Sequence, residues 1–105
     1  MVNKVAYKVV TRDMRSLGLR NNPNIIQYPI RKWFFLSNDQ IRKGKQDFGG
    51  IWCARTLGKA KGLQRYMKRQ HFVSTRIFKV LMDRILYAND YRIKTNGLIF
   101  LEEIS

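Results

Sequence analysis

Between Phe48 and Met82 the sequence has no aspartate and no glutamate, yet it carries eight lysines and arginines. An ordinary solvated helix mixes the two signs, because Glu and Lys one turn apart stabilise it. Other residue types are scarce too. A single cysteine, Cys53, excludes an internal disulfide. No segment approaches the ~20 apolar residues needed to span a bilayer. The N-terminal MVNKVAYKVV alternates apolar and polar residues, without the continuous apolar core of a signal peptide. The expectation is a cytoplasmic protein. The only histidine, His71, stands eighteen residues from Cys53, which makes no nucleophile–base pair without a shared pocket. Cys53 lies in the apolar IWCA and reads as a buried, inert thiol. No Cys or His spacing fits zinc, and the sparse acids show no grouping suited to magnesium or calcium. The sequence therefore calls for no cofactor and no metal.

What is abundant is positive charge. The 105 residues hold 21 basic and seven acidic side chains, a formal +14 with a sequence pI near 10.5. Self-repulsion of that size destabilises a compact state, so an anionic partner is the first expectation. The charge is also uneven. Residues 1–47 carry ten basic and three acidic side chains, residues 48–82 eight and none, and residues 83–105 three and four. That asymmetry favours one positive face. With 45% hydrophobic and 12% aromatic residues the chain can build a core.

Residues 1–105 read as one small α+β domain. It comprises a mostly antiparallel sheet of five or six short strands, one principal amphipathic helix and a C-terminal β-hairpin. Lys4–Val10 alternates like a strand. Thr11–Asn24, with Gly18 and the NNPN of Asn21–Asn24, reads as loop. Ile25–Leu36 is apolar and aromatic and reads as a strand, with Pro29 marking an edge or a break. Ser37–Gly50 reads as a mobile loop, Ile51–Ala54 as a short strand. Thr56 is a plausible N-cap for a helix over Leu57–Gln70, whose Leu57, Ala60, Leu63 and Met67 form one stripe. Thr75–Met82 fits either a strand or a helical stripe; its strand formers favour the strand. Asn96-Gly97 between YRIKT and LIFLE predicts a two-residue hairpin turn, setting Ile93 opposite Phe100.

The helix carries the sharpest functional signal. Arg55, Lys59, Lys61, Arg65, Lys68 and Arg69 occur within Arg55–His71 without one carboxylate. Gly58 and Gly62 sit on the solvated side, where each costs about 1 kcal/mol relative to Ala. A close approach of a phosphate backbone explains them; a frayed helix start explains them equally. Basic residues also interleave with rings at Arg31-Lys32-Trp33-Phe34-Phe35 and at Arg65-Tyr66-Met67-Lys68-Arg69. Trp33 and Phe35 are expected in the core, and Tyr66 is expected to be exposed. Gly58–Gly62, GKAKG, lacks the phosphate-loop pattern. Lys45–Trp52 has the wrong ring spacing for an RNA-recognition strand.

The segments GGIW and TRIFKV in the C-terminal half resemble small ADP-ribosyltransferase-like domains. The resemblance implies an arginine-class site with Arg12, the pair Ser74-Thr75, and Glu102 or Glu103, acting with NAD on an anionic macromolecule. The Glu-x-Glu spacing of that class is absent.

The leading expectation is a non-enzymatic module that binds nucleic acid, RNA or DNA, with low sequence specificity. Its phosphate contacts would come from the six helix cations and from Arg42, Lys43 and Lys45 in the preceding loop. The enzyme reading and an interaction protein docking on an acidic partner are the alternatives.

Overall fold

The computed structural model describes residues 4–18 and 25–105. The end of the expected loop, residues 19–24, lies outside them. The described residues form a small α+β domain with one α-helix and a seven-stranded, wholly antiparallel sheet. Strand β1 is Lys4–Thr11, β2 Phe34–Phe35, β3 Ile51–Ala54, β4 Thr75–Met82, β5 Ile85–Ala88, β6 Arg92–Thr95 and β7 Gly97–Glu103; helix α1 is Leu57–His71. The order across the sheet is β2-β7-β4-β1-β3-β6-β5.

The register explains this order. Met82 pairs with Leu98 in β4–β7, and Ile85 pairs with Thr95 in β5–β6. These four strands are therefore one long hairpin, interrupted near Asp83 and Asn96. Its base pairs with β1 through β4, and its tip pairs with β3 through β6. Asn96 alone joins β6 to β7, although they stand sixth and second in the sheet. The sheet must curl for both to hold.

Period-two alternation sends the two faces of the curl into separate cores. Ala6 and Val10 of β1 join Cys53, Phe78, Val80, Met82, Leu98 and Phe100 inside the curl. Val9 and Ile77 face outward and meet Ala60 of α1, with Tyr7, Leu57 and Leu63 around them. The stripe read from the sequence is the buried one, and Thr56 caps the helix by accepting a hydrogen bond from the Lys59 N–H at 3.2 Å.

Three expectations need correction. The Asn96-Gly97 pair is not a hairpin turn, since Ile93 pairs with Cys53 and Ala88 while Phe100 pairs with Val80. The Asn96 side chain replaces missing ladder partners. Its Oδ1 accepts from the Arg84 N–H at 2.8 Å and its Nδ2 donates to Asp83 at 2.9 Å. The turn lies instead at Asn89, whose Oδ1 accepts from the N–H groups of Tyr91 and Arg92.

The expected strand Ile25–Leu36 shrinks to Phe34–Phe35, an edge strand on β7. Pro29 has no N–H to give, and Arg31 takes a left-handed φ of 61°. Ring orientation is also reversed there. Phe34 packs inward on Tyr28, while Trp33 and Phe35 lie outside, stacked at 5.5 Å. Gly97 admits this arrangement, because a Cβ there would run into the Phe35 ring.

The segment Ser37–Gly50 forms a loop, and side chains of the sheet bond to its backbone. It contains a short 3-10 turn, Asn38–Gln40, and the buried Lys94 donates through Nζ to the carbonyls of Gln46 and Phe48, each at 3.1 Å. Trp52 Nε1 donates to the Asp47 carbonyl at 2.9 Å.

Candidate functional site

Thr11 pairs with Thr75 at one end of the β1–β4 ladder. This register puts Arg12, just past β1, beside Ser74 and Thr75 at the start of β4. The C-terminal half of α1 crosses above and adds Arg65, Lys68 and Arg69. Together they line a groove of about 530 Å³. Gln64 ties its floor to the helix, with Nε2 donating to the Thr75 carbonyl at 3.2 Å. No carboxylate side chain lines it.

Two features set the groove's electrostatics. The helix C-terminus contributes a negative partial charge of about half an elementary unit. Four guanidinium and ammonium groups outweigh it, so the groove is cationic. One hydrogen-bonding group is also unmatched. Thr75 is 7% exposed, and among the described residues its Oγ1 has no hydrogen-bond partner. A buried hydroxyl left unpaired costs about 1–3 kcal/mol.

The remaining sequence candidates distribute unequally. Lys61 is exposed on the same helix face, four residues before Arg65 and seven before Lys68. Arg55 and Lys59 instead fasten the start of the helix to the β5–β6 turn: Arg55 Nη1 donates to the Asn89 carbonyl at 3.2 Å, and Lys59 Nζ lies 4.5 Å from the Tyr91 ring centroid. Arg42, Lys43 and Lys45 are exposed on the segment covering Lys94 and Trp52, over the β3–β6–β5 wing, and do not line the groove. Arg42 Nη1 is already bonded to the Asp39 and Ile41 carbonyls. Gly58 and Gly62 have room for a side chain, for beyond their chain neighbours and the helix's own backbone a Cβ at either would meet no atom nearer than 3.9 Å. No internal packing accounts for them.

His71 is the last residue of the helix, its ring edge-on to Tyr66 at 5.4 Å. Arg12 and the Ser74-Thr75 pair do share the groove. Glu103 is taken up by Arg76, whose Nε and Nη2 reach its two carboxylate oxygens at 3.0 and 2.8 Å. Those bonds hold the Glu103 carboxyl below the usual carboxylate range. Arg76 Nη1 also donates to the Arg12 carbonyl at 3.2 Å, which fixes the backbone from which Arg12 enters the groove.

Sequence reading missed Gln64 and Thr75 as members of the cationic groove, and it assigned Arg12 only to the enzymatic reading. The β1–β4 register brings them to the helix, and no local pattern announces it. No protein-family model matches the chain, and no curated protein or solved structure shows significant similarity to it.

Proposed function

We propose that the protein is a non-enzymatic, cytoplasmic nucleic-acid-binding domain that holds a phosphate backbone in the groove between α1 and the β1–β4 ladder. The observation carrying this reading is the convergence of Arg12, Arg65, Lys68 and Arg69 over the unpaired Thr75 hydroxyl, with no carboxylate side chain among the lining residues. Guanidinium groups suit phosphate because their donors match its oxygens in pairs. Lys61 and the open glycine side of the helix extend the surface toward Gly58. Such contacts give affinity with little base discrimination.

The test is fluorescence anisotropy with labelled oligonucleotides across a salt series. Each neutralised phosphate contributes a slope of about −0.7 to −0.9 in log K against log salt. Replacing Lys61, Arg65, Lys68 and Arg69 with Ser should flatten that slope and remove most of the affinity while the far-ultraviolet spectrum stays unchanged. Binding indifferent to salt, or surviving the fourfold change, overturns the reading. Co-purification before and after nuclease treatment separates nucleic acid from an acidic protein partner.

One observation favours the enzymatic alternative: Arg12 and Ser74-Thr75 stand together as its arginine-class site requires. The engagement of Glu103 by Arg76 weighs against it. Incubation with labelled NAD, proteins and nucleic acids decides, with transfer or NAD cleavage required for that reading to stand.

A further inference from the structure

Phe72 occupies the residue after α1, where the chain turns with φ 57° and ψ 34°. Its N–H bonds the Lys68 carbonyl and the Val73 N–H bonds the Met67 carbonyl, both at 3.2 Å. This left-handed closing geometry is ordinarily supplied by glycine, because a side chain there is crowded by its own backbone. The sequence places a phenylalanine at that strained position and leaves the ring 90% exposed. Neither folding nor packing accounts for that choice. Val73, the next residue, and Arg69, three residues earlier, line the cationic groove. An exposed aromatic ring thus stands next in the chain to a residue that lines the cationic groove.

We infer that the groove takes single-stranded nucleic acid, with phosphates on Arg65, Lys68, Arg69 and Arg12 and an unpaired base stacked on Phe72. The inference rests on the phosphate-binding reading and adds the class of nucleic acid to it. The charge of the groove selects a polyanion. The exposed ring selects one whose bases are free to stack, since in a duplex both faces of each base are already covered. The left-handed turn fixes the backbone from which the ring projects at the end of the helix. Tyr66, 49% exposed on the same half of the helix, offers a second ring.

The experiment compares short single-stranded DNA, single-stranded RNA and duplex DNA by fluorescence anisotropy at fixed salt. It uses the full chain, Phe72→Gly, Phe72→Trp and the pair Lys68→Ser/Arg69→Ser. Phe72→Gly suits the backbone geometry, so its melting midpoint should equal or exceed that of the unmodified protein. Its single-strand affinity should fall roughly five- to hundredfold, with duplex affinity and salt slope unchanged. Phe72→Trp should restore single-strand binding. If Phe72→Gly binds single strands as tightly as the unmodified protein while Lys68→Ser/Arg69→Ser does not, the stacking inference fails and the phosphate reading stands. If neither variant weakens binding, both fail. A preference for duplex in the unmodified protein also overturns the inference. The DNA and RNA arms tell the two sources of single strand apart.

Discussion

Lys8 lies on β1 between Ala6 and Val10, so alternation turns its side chain into the curl of the sheet. It is 8% exposed, donates to the Trp52 carbonyl at 2.5 Å and has the Tyr28 ring 5.7 Å away. Burial pushes its pKa down, with Cys53 pulling the other way. A depressed lysine releases its proton in the native state before the unfolded chain does. Between the native value and the ordinary 10.5 the unfolded state therefore binds more protons, and stability climbs with pH. Urea unfolding of the wild type and Lys8→Met, followed from neutral pH upward, should show the wild type gaining on the variant. Parallel curves would place the Lys8 ammonium in water. Cys53 moves oppositely, its thiol pushed up from 9.0 to about 11 by burial. That displacement leaves about a hundredfold less thiolate below pH 9. Iodoacetamide should accordingly label Cys53 at a rate that follows the unfolded fraction in urea, and fast labelling of the native protein would contradict its buried position.

Helix α1 combines a clear local code with an unexplained weakness. Its cap, its stripe and its cationic side follow from spacing alone, as do β1 and β3, because each pattern is complete within one element; β4 fits two periods, and its strand-forming residue types decide it. Gly58 and Gly62 are the exceptions to helical preference, and the structure shows room for side chains at both. Gly58→Ala and Gly62→Ala should each raise unfolding free energy by about 1 kcal/mol, measured by urea titration. A loss of nucleic-acid affinity in these stabilised variants would place a backbone against them; unchanged affinity would leave them without a binding role. The features hidden from the sequence are those set by distant partners. Asn96-Gly97 has the composition of a turn, but Asp83 and Arg84 across the hairpin supply partners for the Asn96 side chain. Which of Trp33, Phe34 and Phe35 points inward depends on the bare Gly97 backbone opposite Phe35. The groove shows the same division. Arg65, Lys68 and Arg69 are visible on a helical wheel, whereas Thr75 and Arg12 join them only through strand register.

Across the whole molecule, a formal +14 has two consequences of opposite sign. Raising salt from 0.1 to 1 M shortens the screening length from about 10 to about 3 Å. Thermal melts should shift upward as self-repulsion is screened, while oligonucleotide affinity falls over the same series. A melting midpoint that drops with added sodium chloride would contradict the first expectation. The topology has a different consequence, one of time. The N-terminal strand β1 occupies the middle of the sheet, and its partner β4 arrives late, Tyr7 pairing with Lys79. At ribosomal rates of about 5–20 residues per second, several seconds separate the two. Helix α1 is synthesised within that interval, before β4, which forms part of the surface it covers. Slow, non-local closure of β1 onto β4 is therefore the step expected to limit folding, and during synthesis the emergence of residues 75–82 sets its earliest moment.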